Sequence, residues 1–214
     1  MGRQTMNVRY RYDRDRVIPV AVKGEDDEAR RSWALNAAAS YAEHIRTEVD
    51  LDATAVARVA DLAAELARVA GGSRAAALLF LPEPQIAAPM TIMFSPEQPT
   101  KADQEDFLWP RSSLLRPTHR KISTDGLGAG STVAIVHREH HRAVAERRWL
   151  FLGEHGSVAV ALGPMAVPFL ALVEPVSDLI IDSLSIDGYV ADPSGRAATE
   201  IADAFQQDEE RWAV

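Results

Sequence analysis

The chain of 214 residues contains no cysteine. Disulfides, zinc–thiolate centres and cysteine nucleophiles are therefore excluded. Lysine is scarce: Lys23, Lys101 and Lys121 stand against twenty arginines. None of the three follows a glycine-rich loop, so there is no Walker lysine to reach a nucleotide phosphate. No apolar run approaches the roughly 18–20 residues of a membrane span. The best candidate, Pro164 to Val173, is about half that and holds two prolines. The N-terminal stretch "MGRQTMNVRYRYDRDR" has no apolar h-region, so the expectation is a cytoplasmic protein without a signal peptide. Hydrolase motifs are missing too. There is no H-E-x-x-H and no G-x-S-x-G; Ser157 follows Gly156, but inside a strand meander. His137-Arg138-Glu139 matches the H-x-E of zinc deaminases, yet the P-C-x-x-C half cannot exist here. "DGLGAG" at 125–130 lacks the G-x-G-x-x-G spacing and a following helix.

What remains is an ordinary globular composition, 47% hydrophobic and 25% charged, with a net charge of −8. That sign argues against nucleic acid as a general partner. The charge is unevenly spread. From Arg111 to Arg148 eight Arg/Lys stand against three acids, a local +5 that leaves −13 for the rest. Four of the six histidines lie in the same basic middle. Solvated strand faces account for such a region; a surface that meets an acidic partner or an anion is the sharper reading.

Hydrophobic periodicity orders the elements. "MNVRYRY" alternates as a strand, and "RVIPVAV" reads as a second extended piece that Pro19 confines to an edge. Residues 24–49 predict a helix with acids crowding its first turn and Trp33, Ala37, Tyr41 and Ile45 on one face. A second helix, capped by Asp52 or Thr54, carries Val56, Val59, Ala63, Leu66 and Val69/Ala70, and Gly71-Gly72 stops it. The Asp13/Asp15 and Asp50/Asp52 pairs fit caps and turns, and Trp109-Pro110 fits a buried corner. "AAALLFLP", "PMTIMFSP" and "RPTHRKIST" predict strands, with a short helix at "KADQEDFLW". "STVAIVHREH", "RRWLFLG" and "SVAVALG" form a three-strand meander whose second turn is "GEHG". "EPVSDLIIDSL" predicts a helix starting at Pro175. "SLSIDG" gives a last strand, and residues 194–214 an amphipathic helix with Ile201, Ala202 and Phe205 on one side and Trp212 beyond. The fold class is α+β: an antiparallel sheet with an N-terminal helical hairpin, a helix near the C-terminal strand, and a C-terminal amphipathic helix. Residues 1–187 read as one domain, and 188–214 as a linker with that last helix, docked on its own domain or on a second subunit.

"HREHH" at 137–141 concentrates three histidines. On a helix, His137 and His141 at i and i+4 could share a metal. On a strand, at about 3.3 Å per residue, they stand roughly 13 Å apart. The β-branched "STVAIV" before them favours the strand, placing Val133, Ile135, His137, Glu139 and His141 on one face and "HREHH" at the exposed end of a hairpin. A metal held by His137, Glu139 and His141 is the alternative. Candidate partner- or anion-binding residues are Arg138, His140, His141, Arg147 and Arg148, since arginine forks suit carboxylates and phosphates.

From 118 to 187 the meander, the helix and the closing "LVEPVSDLIIDSLSI", with Val176, Ile180, Ser183, Leu184 and Ile186, resemble the ending of MOG1/PsbP-like α+β domains, common among small actinobacterial proteins of unassigned role. The N-terminal helical hairpin departs from that family's usual plan. The resemblance implies a binding or accessory role and carries over no functional residue. The expectation is a non-catalytic accessory or adaptor protein without cofactor, binding a protein partner or a second copy of itself, and neither nucleic acid nor membrane. The competing reading is an enzyme or sensor, metal-dependent or acting on an anionic substrate, built on residues 137–141.

Overall fold

A computed structural model describes residues 7–20, 26–70 and 74–207. Its centre is a seven-stranded antiparallel sheet in the order β2-β3-β4-β8-β7-β6-β5. The strands are β2 (Val17–Val20), β3 (Arg74–Leu81), β4 (Ile86–Ser95), β5 (Thr118–Thr124), β6 (Gly128–Glu139), β7 (Arg142–Leu152) and β8 (Ser157–Ala166). The fold is α+β, as the pattern predicts. Pro19 sits exposed on β2, an edge strand, where a missing N–H is tolerated. Pro89, the first residue of the strand predicted by "PMTIMFSP", lies inside β4, which begins three residues earlier at Ile86. The sheet accommodates this because β4 joins β8 only from Met90 onward, so Pro89 pairs on one side, with Leu78.

The strand expected over residues 7–12 contracts to β1 (Val8–Arg9), paired with β9 (Ser185–Ile186) in a separate two-stranded sheet. Tyr10 and Tyr12 lie past the ladder, their rings meeting edge-on at 5.8 Å. The predicted last strand is thus real but does not extend the main sheet.

Side chains alternate across each strand, so each sheet face needs its own cover. One face carries Leu79, Met90, Ile92, Val160, Trp149 and Phe151 under α4 (Leu170–Ser183) and β9. The other face is covered in two halves. Over β2 and β3 lie α1 (Asp27–Ile45) and α2 (Ala53–Val69), packed on Ile18, Leu78 and Phe80. Over β5, β6 and β7 lie α3 (Lys101–Leu108) and α5 (Arg196–Gln207).

Caps explain most helix starts. Asp26 accepts from Ala29 N–H at 2.7 Å, and Asp52 from Ala55 N–H at 2.7 Å. Thr100 and Asp103 make a reciprocal capping box. Asp13 accepts from Asp15 N–H, a turn contact as expected for that pair. The buried stripe of α1 is Ala34, Ala38, Tyr41 and Ile45. The expected members Trp33 and Ala37 are only half-buried, and Ala34 and Ala38 take their place in the core with α2 and β3. Gly71-Gly72 and Trp212 lie outside the described residues. Helix α4 corrects the sequence reading most. It begins at Leu170 after a 3₁₀ turn, Val167–Phe169, so Pro175 stands inside the helix instead of at its start. Burial of Val173, Val176, Ile180 and Ile181 offsets the lost N–H.

Helix α5 docks on its own chain. Ile201 and Phe205 enter a core with Leu108, Trp109, Val133, Ile135, Leu150 and Leu152. Trp109 is buried, with its ring edge-on to Phe205 at 5.5 Å.

Candidate functional site

The β6–β7 hairpin answers the question raised by "HREHH". Glu139 pairs with Arg142, leaving a two-residue loop of His140 and His141. Both have positive φ, 43° and 68°. Two consecutive left-handed residues are what a two-residue hairpin turn demands, because that turn matches the right-handed twist of the strands. Asn-Gly is the usual solution; here two histidines occupy the position at a cost of about 1 kcal/mol each. His141 therefore lies in the turn and is not a member of the strand face that the period-two pattern assigned to it. His137 remains on β6, half-buried, its Nε2 3.6 Å from Glu146 Oε1. The turn sends His140 and His141 into solvent. Among the described residues no group of three or more His, Asp or Glu is placed to hold a metal ion.

Adjacent arginines on β7 go to opposite sides of the sheet. Arg148 lies toward α3. It donates to Glu146 Oε2 through Nε at 2.8 Å and to the Phe107 carbonyl through Nη1 at 2.8 Å. Its guanidinium also covers the Phe107 ring at 5.3 Å. Arg147 lies toward α4 and is buried. Its Nη1 stands 3.0 Å from Glu174 Oε1 and 3.4 Å from Asp178 Oδ1, and its Nε donates to Thr132 Oγ1 at 3.3 Å. Trp149 lies beneath it at 5.2 Å. Nη1 makes no well-aligned hydrogen bond despite the 3.0 Å separation, so its attraction to Glu174 is Coulombic. Burial pushes the Asp178 carboxyl up from its usual range, and Arg147 opposes that shift. A buried cation of this kind is retained only with partners, and α4 supplies both. The cavity beside it is about 20 Å³, room for one water and no ligand.

The five sequence-predicted candidates thus separate. Arg138, His140 and His141 share the exposed hairpin tip, whereas Arg147 and Arg148 are engaged in internal pairs on opposite faces. Two clefts lie elsewhere. One, of about 420 Å³, runs between α1 and α2, where Arg30 pairs with Asp27 and Arg68 with Glu65. The other, about 260 Å³ between α3 and α5, has Trp109, Leu152 and Ile201 at its base and Gln98, Gln104 and Glu200 at its rim. Neither gathers a nucleophile with a base.

Three features escaped the sequence reading. His119 on β5 stacks on Phe205 at 5.1 Å, and its Nε2 is buried without a hydrogen-bond partner. Burial, then the nearby Lys121 charge, holds its imidazole below the ordinary value. Leu114 and Leu115 are exposed beside the hairpin. Val167, Phe169, Leu172 and Leu179 are exposed on the 3₁₀ turn and the outer side of α4. A signal for the last was present: no residue from Gly156 to Val173 carries a charge.

No helix among the described residues is long and apolar enough to cross a membrane. A comparison with protein-family models finds no match, and a comparison with curated proteins finds none.

Proposed function

We propose that this protein is a non-catalytic accessory or adaptor protein, working in the cytoplasm, that holds a protein partner on the outer face of the 3₁₀ turn and α4. The observation that carries this reading is the chemistry of that face. Val167, Phe169, Leu172 and Leu179 stand in solvent, with Pro168 and Pro175 among them. The first charge after Gly156 is Glu174, and it is engaged with Arg147. At roughly 25 cal/mol per Å² of apolar surface, leaving such a face wet is costly, and contiguous exposed apolar surface of this sort marks docking sites. The lack of charge up to Val173 suits an apolar face of another protein, and Asp178 and Asp182 beside Leu179 give the docking face an acidic end. The MOG1/PsbP-like assignment belongs to the same proposal, supported by the order of meander, helix and short closing strand within residues 118–186.

The test places a photo-crosslinking amino acid at Leu172, with Ala39 on the exposed side of α1 as control, in full-length protein in cells. The expected result is one discrete adduct at position 172, absent at position 39 and lost when Leu179→Glu is added. An adduct of twice the chain mass would identify a second copy as the occupant. No adduct, or the same adducts at both positions, would overturn the proposal.

A further inference from the structure

Helices α3 and α5 cover the same half of the sheet, and a cleft of about 260 Å³ stays open between them. Ala197 and Ala204, two turns apart on α5, line this cleft with side chains too short to bridge it. An apolar cavity of about 150 Å³ holds a benzene molecule, so this one has room for a ring with one functional group. Leu152 and Ile201 make its base apolar. Trp109 joins them there and is only 3% exposed. Its indole N–H has no hydrogen-bond partner among the described residues. That nitrogen is not sealed from solvent, and the cleft is the opening that Trp109 lines. A donor so deeply set costs free energy until an acceptor reaches it.

The rim supplies acceptors. Gln98 Nε2 donates to the Gly153 carbonyl at 2.6 Å, and Gln104 Nε2 to the Pro99 carbonyl at 3.0 Å. These bonds fix both amides and leave each side-chain carbonyl oxygen without a donor among the described residues. Full charges at the rim oppose one another. Lys101 and Glu105 stand one turn apart on α3, and Glu200 is paired with Arg196 at 2.7 Å. Neither sign dominates, so the cleft selects an uncharged occupant.

We infer that the α3–α5 cleft is a binding site for a small uncharged molecule, an apolar ring carrying a carboxamide. The ring rests on Leu152 and Ile201. The ligand's carbonyl oxygen accepts from Trp109, and its N–H groups donate to Gln98 and Gln104. A carboxamide carries both halves of this pattern on one carbon. A carboxylate brings no donor and meets Glu105 and Glu200; an ammonium brings no acceptor for Trp109; a hydrocarbon leaves every polar group of the cleft unmet. The bound molecule touches both helices and so holds α5 on the sheet. The cleft lies on the opposite sheet face from α4, away from the proposed docking surface.

The experiment follows the four tryptophan indole N–H signals of the full-length protein by NMR, assigned from the backbone, during titration with benzamide. The Trp109 signal is expected to move saturably, with a Kd of about 1 mM or tighter, and the Tm to rise. N,N-dimethylbenzamide, which has no N–H, and the charged benzoate and benzylamine are each expected to bind about tenfold more weakly. Ala204→Phe fills the cleft from the exposed side of α5 and should abolish the shift with the fold intact. Gln104→Leu should weaken binding by about tenfold, while Leu172→Glu leaves it unaltered. No saturable movement of the Trp109 signal at about 10 mM benzamide, equal binding of the dimethyl amide or of benzoate, or wild-type binding by Ala204→Phe would each overturn the proposal. Failure of the α4-face crosslink would not move this result, so the two proposals fail separately.

Discussion

At the scale of single residues, the informative side chains are those whose charge or polarity is out of water. Arg147 is one. Removing it strands Glu174 and Asp178 beside Trp149, but both acids keep some solvent, which limits the penalty. Arg147→Ala is expected to cost about 2 kcal/mol, read as a lower midpoint in urea, while Arg138→Ala on the exposed tip changes it by less than about 0.5 kcal/mol. His119 is another. Its folded-state imidazole is held below the ordinary 6.5 by burial under Phe205 and by Lys121. As pH falls through 6.5 the unfolded chain takes up a proton that the folded chain resists. Stability from this residue is therefore full above that value and declines below it. In His119→Phe the slope of stability against pH just below 6.5 should flatten, as denaturation at a series of pH values would show. An unchanged slope would mean that His119 gains a partner on protonation. Neither residue announces its role in the sequence, since an alternating strand tells which side chains share a face and not what lies across from them.

At the scale of elements, the departures from pattern concern turns and helix starts. Pro175 looks like the first residue of a helix because proline is at home there, yet α4 begins five residues earlier. The uncharged run into it carries no cap: Phe169 makes no side-chain capping bond, and the 3₁₀ turn feeds the helix directly. Pro175 then lacks the N–H that would reach the Ala171 carbonyl, and Pro175→Ala should raise stability by about 1–3 kcal/mol with α4 intact by amide exchange. The hairpin turn behaves similarly. Replacing His140-His141 by Asn-Gly supplies residues that take positive φ readily and should stabilise by about 1 kcal/mol. The β5–β6 turn, at the other end of β6, is tied down differently. Gly126 has no room for a Cβ, which would stand 2.2 Å from the Leu184 carbonyl oxygen, so Gly126→Ala should separate that turn from the end of α4 and lower the Tm.

At the scale of the whole molecule, α5 determines whether one half of the sheet is covered. Its amphipathic sequence is equally compatible with docking in cis or on a second subunit. Phe205 and Ile201 complete a core with Trp109, Val133 and Leu150, so the chain covers itself. Truncation after Gly195 should uncover that core. The expected outcome is a lower Tm together with strong binding of an apolar dye, and Phe205→Ala alone should cost about 3 kcal/mol. A truncated chain as stable as the full one would show that α5 contributes nothing to this half of the sheet.

Period and composition by themselves determined the strands of the meander, the helical hairpin, the edge position of Pro19 and the exclusion of thiol chemistry. These follow from local rules: side-chain alternation, capping by Asp52, acids in the first turn of α1, and the proline ring. Tertiary structure alone decided that β9 leaves the main sheet for β1, that Arg147 meets α4 and Arg148 meets α3, and that His140 and His141 form a turn. It also decided which apolar residues stay in water. Leu172 and Val173 are neighbours of similar hydropathy, and only the approach of the sheet to one side of α4 buries Val173 and leaves Leu172 exposed. A sequence states how much apolar surface a segment has; the partner across the interface determines which part of it is covered.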